Sequence, residues 1–191
     1  MKSIPMNLLK TSFLLMSLVF ILSLNSCDKD CGEPNSFNDP VYFQYDAQNF
    51  AWGIYHVGWF IDKNGDFRSY DLPANWNEPD SLGYISKSDL ESNLGKADSI
   101  IYHISIPELQ NQVALINDVD DDKFSAIENV GADIGTVELF CYKWDEGHNA
   151  YKRIRLVTGG DFKQENLDPE AKELAAWLIA LGEESGSFYW Y

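Results

Sequence analysis

The sequence predicts an α+β fold, in which an antiparallel sheet of two hairpins has helices packed on one side. Two observations carry this prediction. Segments rich in β-branched and aromatic residues flank two turns, one within residues 53–71 and one within residues 136–158, as in β-hairpins. Segments with helical periodicity lie between the hairpins and after them. Hairpins separated by helices are typical of an antiparallel sheet with helices laid against it.

The first hairpin is predicted for residues 53–61 and 66–71. The residues Asp62-Lys63-Asn64-Gly65 join its strands, and Asn and Gly tolerate the positive φ of a type I′ turn. Both alternating sets of side chains in residues 53–61 are apolar, so we expect a central strand that is covered on both faces. Residues 41–45 predict a further strand, at the start of the folded domain.

Two short helices are predicted next. Ser88 and Glu91 indicate a capping box for a helix that ends at Gly95. Ser105 and Glu108 indicate a second capping box. The helix that begins there has apolar residues at i, i+4 and i+7, which are Leu109, Val113 and Ile116. The residues between the two helices, 100–104, favour a strand.

The second hairpin is predicted for residues 136–144 and 151–158. A last helix is predicted from Asp168, as its N-cap, to Gly182. Its apolar face consists of Leu174, Trp177, Leu178 and Leu181. We therefore expect a single globular domain over residues 41–191.

The charge balance of the chain excludes one class of partner. The 191 residues include 30 acidic and 14 basic side chains, for a net charge of −16. Phosphate binding needs a basic surface, so we expect no nucleic acid partner. The sequence also has no G-x-S-x-G elbow, no phosphate-binding loop and no dinucleotide fingerprint. A non-enzymatic protein is therefore expected.

Residues 1–26 have the three parts of an export signal. Lys2 and Lys10 supply positive charge, and residues 13–24 form an uncharged apolar run. As a helix, this run would be about 18 Å long, well short of a bilayer core of about 30 Å. The segment is therefore interpreted as a signal peptide and not as a permanent membrane span.

Leu24, Asn25 and Ser26 directly precede Cys27. This ending resembles the lipobox of bacterial lipoproteins, which has leucine three positions before the cysteine and a small residue just before it. The resemblance implies cleavage before Cys27, a diacylglycerol thioether on its sulfur and acylation of its amine, with no other cofactor. A plain secretory signal or a membrane anchor with an incidental cysteine is the alternative.

Asp28, Lys29 and Asp30 follow the cysteine. An acidic cluster at this place is similar to the surface-export signal of Bacteroidetes lipoproteins, and the aromatic-rich body resembles small lipoproteins of that group. The resemblance implies an envelope protein that is anchored to the outer membrane by its lipid and exposed at the cell surface. In enteric bacteria, aspartate after the lipidated cysteine implies retention at the inner membrane instead. Residues 27–40 are interpreted as the lipidated tether.

Cys31 and Cys141 remain after lipidation. In an oxidising compartment they could form a disulfide, which would contribute about 4–5 kcal/mol by closing a long loop. The alternative is that Cys31 lies in the tether and Cys141 is a buried apolar residue of a strand. No metal is expected, because the histidines and cysteines have no metal-binding spacing.

Two acidic segments resemble cation sites only superficially. An EF-hand loop that began at Asp62 would need glycine and glutamate where the chain has Phe67 and Pro73, so a turn is the better interpretation. Residues 118–122 contain four aspartates and are expected to be a solvated helix end. His56 is expected to be packed or hydrogen-bonded within its strand.

Aromatic residues supply the remaining functional signal. Of the six tryptophans, Trp76 is the one that we expect to be exposed, and its flat ring would suit a sugar or a peptide. The preferred hypothesis is a lipid-anchored envelope protein that binds another protein, as an inhibitor or as part of an assembly. The alternatives are glycan binding through exposed tryptophans, and a small hydrolase with a histidine beside Cys141 or a carboxylate.

Overall fold

The structure, a computed structural model, describes residues 37–188. The strands in this range are β1 (Val41–Asn49), β2 (Tyr55–Asp62), β3 (Asp66–Asp71), β4 (Tyr84–Ile85), β5 (Ser99–His103), β6 (Glu128–Asn129), β7 (Thr136–Asp145), β8 (Ala150–Gly160) and β9 (Phe162–Glu165). The helices are α1 (Lys87–Leu94), α2 (Ile106–Ile116) and α3 (Pro169–Ser185).

The strands form one sheet in the order β5-β3-β2-β1-β7-β8-β9-β6, with β4 also paired to β8. All of these pairings are antiparallel, so the fold is α+β. The predicted hairpins are present as β2–β3 and β7–β8. The prediction that the sheet consists of these two hairpins is wrong, because other strands extend it. β1 lies between the hairpins and is buried over residues 41–47. It is therefore the central strand.

Each face of the sheet has its own core, since successive residues of a strand point to opposite faces. On the first face, Phe43 and Trp59 pack in one cluster with α2 and α3. On the second face, Phe60 and Tyr142 pack in another cluster with Leu90 of α1. The prediction that the helices lie on one side is therefore wrong. Two helices cover the first face, and α1 covers part of the second.

The β2–β3 turn differs from the predicted type I′ turn. Among its residues only Gly65 has a positive φ, of 80°. The Gly65 N–H donates to the carbonyl oxygen of Asp62 at 3.0 Å. This is a type I turn followed by a glycine, the usual geometry of a three-residue hairpin loop.

Helix boundaries follow the side-chain caps. α1 begins earlier than predicted, because Ser86 and not Ser88 accepts a hydrogen bond from the backbone N–H of Asp89, at 3.1 Å. α2 begins at its predicted cap, Ser105, which accepts from the N–H of Glu108.

α3 begins at the predicted cap, Asp168, but continues past Gly182 to Gly186, whose φ is 65°. Gly182 serves packing instead of termination, because a Cβ on it would lie 2.6 Å from Cβ of Phe188. After the helix the chain turns back, and Phe188 lies against Gly182. None of the described helices is long and apolar enough to cross a membrane.

β1 connects two ends of the sheet. At its start, Val41 pairs with Asp62 beside the β2–β3 turn, and the β7–β8 loop lies at the same end. At its other end, Gln48 pairs with Thr136, the first residue of β7. We call these the entry end and the far end. Eight strand steps, or about 27 Å, separate Val41 from Asn49, the last residue of β1.

Candidate functional site

A buried polar cluster lies on the second face. The side chain of Asp46 is only 5% exposed. One of its carboxylate oxygens accepts hydrogen bonds from Oη of Tyr70 at 2.5 Å and from Nε2 of His56 at 2.8 Å. The other oxygen accepts from Nε2 of Gln48 at 2.7 Å. Strands β1, β2 and β3 each supply part of this cluster, so its geometry depends on their register.

A glycine makes room for the cluster. Gly58 lies between Asp46 and Tyr70 in the register of β1, β2 and β3. A Cβ on Gly58 would be 2.4 Å from the Tyr70 hydroxyl and 2.1 Å from the carbonyl oxygen of Tyr45. Burial and the Asp46 carboxylate raise the pKa of Tyr70 well above its ordinary value. The hydroxyl therefore remains a hydrogen-bond donor.

A second carboxylate, that of Glu138, lies directly opposite Asp46 on β7. It accepts hydrogen bonds from Oγ1 of Thr158 at 3.0 Å and from Nη1 of Arg155 at 3.4 Å. Burial raises the pKa of Glu138, although the Arg155 guanidinium opposes this effect. Two carboxylates, a histidine and an arginine therefore meet on this face. In the described part of the chain, however, no serine, threonine or cysteine is hydrogen-bonded to His56.

Trp76 covers this cluster, and the prediction that it is exposed is wrong. Its half-buried ring stacks on Phe60 at 5.6 Å and lies 4.5 Å from the ring of Tyr70. The buried side chain of Asn93, in α1, holds the loop by donating to the carbonyl oxygen of Asn77 at 2.8 Å. Trp76 thus covers a polar core, and the ligand contact predicted for it stays a prediction.

Cys141 forms no nucleophilic pair with a histidine. It is fully buried on the first face, whereas His56 lies on the second face. Burial raises the pKa of Cys141 to about 12, so the thiol remains protonated and unreactive. His103 and His148 each hydrogen-bond an aspartate nearer the surface. The contacts of His56 confirm that this residue is packed and hydrogen-bonded, as predicted.

The acidic segments have structural explanations. The buried carboxylate of Asp62 accepts from the N–H of Asn64 at 2.8 Å and from Nε of Arg68 at 2.9 Å, which confirms the turn. The carboxylates of residues 120–122 lie within 4.8 Å of one another, and Nζ of Lys123 lies 3.0 Å from Asp120. Asp120 and Asp121 are half-buried and Asp122 is exposed, and Nζ of Lys152 lies 3.4 Å from Asp121.

The predicted signal, lipidation and export residues lie outside the described residues, as does one of the two cysteines of the predicted disulfide. They are Leu24, Asn25, Ser26, Cys27, Asp28, Lys29, Asp30 and Cys31. The lipidation of Cys27 and the disulfide between Cys31 and Cys141 therefore stay predictions.

The far end carries an exposed apolar surface that the sequence analysis missed. In the β1–β2 loop, Phe50, Trp52 and Ile54 are 65%, 83% and 77% exposed. Val130 and Phe162 are also exposed at this end. We call these five residues the tip. An available signal was the apolar sequence Phe50-Ala51-Trp52-Gly53-Ile54, at a place between strands where a loop is normally polar.

The loops of the tip are fixed to the sheet. Nε1 of Trp52 donates to the carbonyl oxygen of Asp133 at 3.2 Å, so this ring is oriented although it is exposed. Gly135 and Gly160 approach so closely that a Cβ on Gly160 would lie 2.1 Å from the Gly135 carbonyl oxygen. Both glycines have positive φ. The tip is therefore a preformed surface.

A groove of about 380 Å³ adjoins the tip. Its floor includes Ala47 and Val137, which belong to the core of the first face, and its walls include Trp52, Ile54 and Tyr55. We call it the tip groove. None of the ten described residues that line it is charged, in a chain with a net charge of −16. Its size and lining suit an apolar or aromatic group.

The exposed tryptophans of the described chain do not share a site. Trp52 lies at the far end, whereas Trp144, which is 36% exposed, pairs with Tyr151 near the β7–β8 loop at the entry end. A pocket of about 470 Å³ beside Trp144 also includes Asp121, Lys143 and other charged residues. The two ends thus offer chemically different surfaces.

Comparisons with protein-family models, with curated proteins and with solved structures find no match to this chain.

Proposed function

We propose that this chain is a non-enzymatic, lipid-anchored envelope protein that binds another protein through its tip. The exposure of Phe50, Trp52 and Ile54 within a single loop carries the proposal. Isolated exposed apolar residues are common, but a group of them marks an interaction surface. Aromatic residues are also enriched at the centres of protein interfaces. The fixed position of Trp52 reduces the entropy that binding would cost.

The lipid anchor is the second part of the proposal, and the lipobox-like residues 24–27 support it. Two or three acyl chains, at about 0.8 kcal/mol per buried CH₂, would hold the chain at a membrane. The tether would join the domain at the entry end, so the tip would lie about 27 Å away along β1. Anionic headgroups would repel the acidic domain. A partner at the tip is therefore most simply a protein outside the anchoring bilayer, and we favour the outer membrane.

Two other functions have less support. Glycan binding would be favoured by tryptophans exposed together, but Trp52 and Trp144 lie at opposite ends and Trp76 is half-buried. For a hydrolase, Asp46 and His56 offer an acid–base pair, yet the His56 side chain is only 11% exposed and Trp76 lies against it. Protein binding at the tip is the better-supported function.

Capture from an envelope extract tests the function. The immobilised parent chain is compared with Trp52→Ala and with the matched control Trp144→Ala, which removes an exposed tryptophan at the other end. We expect a protein that the parent and the control capture equally, with at least about tenfold less on Trp52→Ala, since a central tryptophan contributes about 2 kcal/mol. Capture that does not depend on Trp52, or recovery of glycans alone, would overturn the proposal.

Metabolic labelling with a radioactive fatty acid tests the anchor. We expect label in the parent and in the control Cys31→Ser, and none in Cys27→Ser. Persistent label in Cys27→Ser would contradict acylation at that residue.

A further inference from the structure

Acidic residues surround the tip groove. The two segments that carry Val130 and Phe162 of the tip, residues 126–135 and 160–165, contain four acidic side chains and one basic side chain. None of the four carboxylates forms an ion pair with a described residue. They are Glu128, Asp133, Asp161 and Glu165, and the basic residue is Lys163. An uncharged groove therefore lies beside carboxylates that no described cation neutralises.

Asp133 is the carboxylate whose position relative to the groove is best fixed. Its backbone carbonyl oxygen accepts hydrogen bonds from Nε1 of Trp52 at 3.2 Å and from Nδ2 of Asn49 at 3.1 Å. Both donors line the groove. The side chain of Asp133 is exposed, and no described residue hydrogen-bonds its carboxylate. The exposed ring of Trp52 thus has a negative charge next to it.

We propose that the tip binds an extended protein segment in which an apolar side chain is flanked by lysine or arginine. The apolar side chain enters the tip groove, and a basic side chain lies beside Trp52 and Asp133. This inference rests on the function proposed above and adds the chemistry of the partner.

The groove determines the apolar part of the segment. Its ten described lining residues are uncharged, and Trp52 and Ile54 give it apolar walls. A phenylalanine or leucine side chain would lose most of its contact with water there, which favours binding. The volume of about 380 Å³ lies near the lower limit of small-ligand pockets. The groove therefore suits one or two side chains of an extended segment.

The surroundings of the groove determine the charge of the segment. A lysine or arginine over a tryptophan ring is attracted to the face of the ring, and the Asp133 carboxylate would add an ion pair at the same place. The net charge of −16 would also attract a basic segment and repel an acidic one. Charge therefore distinguishes between segments that carry the same apolar side chain.

Three peptides with blocked ends test the proposal by NMR titration of the full chain. Gly-Lys-Phe-Lys-Gly has both features, Gly-Glu-Phe-Glu-Gly reverses the charge, and Gly-Lys-Gly-Lys-Gly lacks the apolar side chain. Binding is followed at the indole N–H signal of Trp52, which is identified by its loss in Trp52→Phe. We expect the first peptide to bind at least about tenfold more tightly than either of the others. Equal binding of the first peptide and either of the others, or no change in the signal, would overturn the proposal.

Asp133→Asn tests the site of the basic side chain. Asparagine keeps the shape of the side chain and tolerates the φ of 64° at this position. We expect the first peptide to bind about two- to fivefold more weakly, as on loss of an exposed ion pair. The control Asp122→Asn removes the same charge from an exposed residue, whose neighbour Asp121 lies 3.4 Å from Lys152 at the entry end. It should leave the affinity unchanged, and an equal loss in both variants would overturn the site.

Ile54→Ser tests the groove, because it removes one apolar wall without adding a charge. The first peptide should then bind no better than Gly-Lys-Gly-Lys-Gly, whereas the control Leu82→Ser, at a residue that is 63% exposed, should keep the difference. An undiminished difference in Ile54→Ser would overturn binding in the groove.

These titrations and the capture experiment can fail separately. If a protein is captured through Trp52 but the three peptides bind equally, this inference is wrong and the proposed function stands. If the first peptide binds selectively but no protein is captured, the proposed function is wrong, whereas the chemical preference of the tip stands.

Discussion

Asp46 and Tyr70 lie on strands separated by β2, and their side chains share a hydrogen bond of 2.5 Å that passes over Gly58. The same carboxylate accepts from His56. This contact joins three strands by side chains as well as by backbone hydrogen bonds. It also gives the second face a polar centre beneath the ring of Trp76.

The first prediction concerns that carboxylate. Asp46→Asn should lower the free energy of unfolding by about 2–4 kcal/mol, because an amide group offers N–H donors where Tyr70, His56 and Gln48 need an acceptor. Urea denaturation measures the change. The matched control Asp66→Asn, whose partner His103 has a 59% exposed side chain, should have a much smaller effect. Equal effects of the two substitutions would show that the buried cluster has no special role in stability.

Gly58→Ala should destabilise the fold by about 3 kcal/mol or more. The new Cβ would lie 2.1 Å from a backbone carbonyl oxygen, which cannot move without disturbing the β1–β2 ladder. Thermal unfolding monitored by circular dichroism measures the effect. Gly95→Ala is the control, since its Cβ meets neighbours only at 3.4 Å and its φ of −65° suits alanine. That variant should be unchanged or slightly stabilised.

Cys141 should resist thiol reagents in the folded protein and react after unfolding in urea. Burial raises its pKa to about 12, so almost no thiolate forms near neutral pH. In the unfolded chain the thiol loses its proton near pH 8.5, whereas in the folded protein it keeps the proton until about pH 12. Cys141 therefore lowers the free energy of unfolding as the pH rises from about 8.5 toward about 12. Peptide mapping after iodoacetamide treatment measures the modification. Rapid labelling of the native protein would contradict the buried position.

The same mapping without reductant also tests the disulfide. Modification of Cys141 in the unfolded chain means that it is not bonded to Cys31. Modification only after reduction would support the disulfide prediction.

Glu138→Gln should raise stability at pH 7 by a fraction of a kcal/mol. The pKa of Glu138 is raised in the fold, mainly by burial, so ionisation costs stability as the pH rises above the ordinary glutamate value of about 4.3. Glutamine does not ionise, and its advantage should disappear below pH 4. Urea denaturation at both pH values measures it. Glu78→Gln, at a side chain that is 56% exposed, is the matched control at both pH values. Lower stability of Glu138→Gln at pH 7 would mean that the Arg155 contact outweighs burial.

The sequence predicted those helices and strands that depend on interactions between neighbouring residues. The caps at Ser105 and Asp168 and both hairpins follow from neighbouring residues, and the structure has them at or near the predicted bounds. The N-cap of α1 was predicted at Ser88 but is Ser86. Both serines lie within three residues of Asp89, and either could cap a helix that begins there. Gly182 was wrongly predicted to end α3. A glycine is needed there because Phe188 packs against it after the chain has turned back, and no local pattern shows this contact.

The candidate site depends on contacts that no local pattern contains. Asp46 and Tyr70 are 24 residues apart, and only the register of three strands brings them together. Trp76 lies between polar residues, as an exposed ring would, but α1 draws its loop onto the second face through Asn93. The assignment of α1 to that face depends on how the chain crosses the sheet edge, which periodicity does not specify.

The course of β1 from the entry end to the far end has a mechanical consequence. A pull between Phe37 and the tip would run along this strand, perpendicular to the hydrogen bonds that join it to β2 and β7. Because the β1–β2 loop of the tip directly follows β1 in the chain, the covalent backbone of this extended strand would carry the load, and neither ladder would have to break. A protein held by one end and tugged at the other is therefore built to withstand tension rather than to unzip.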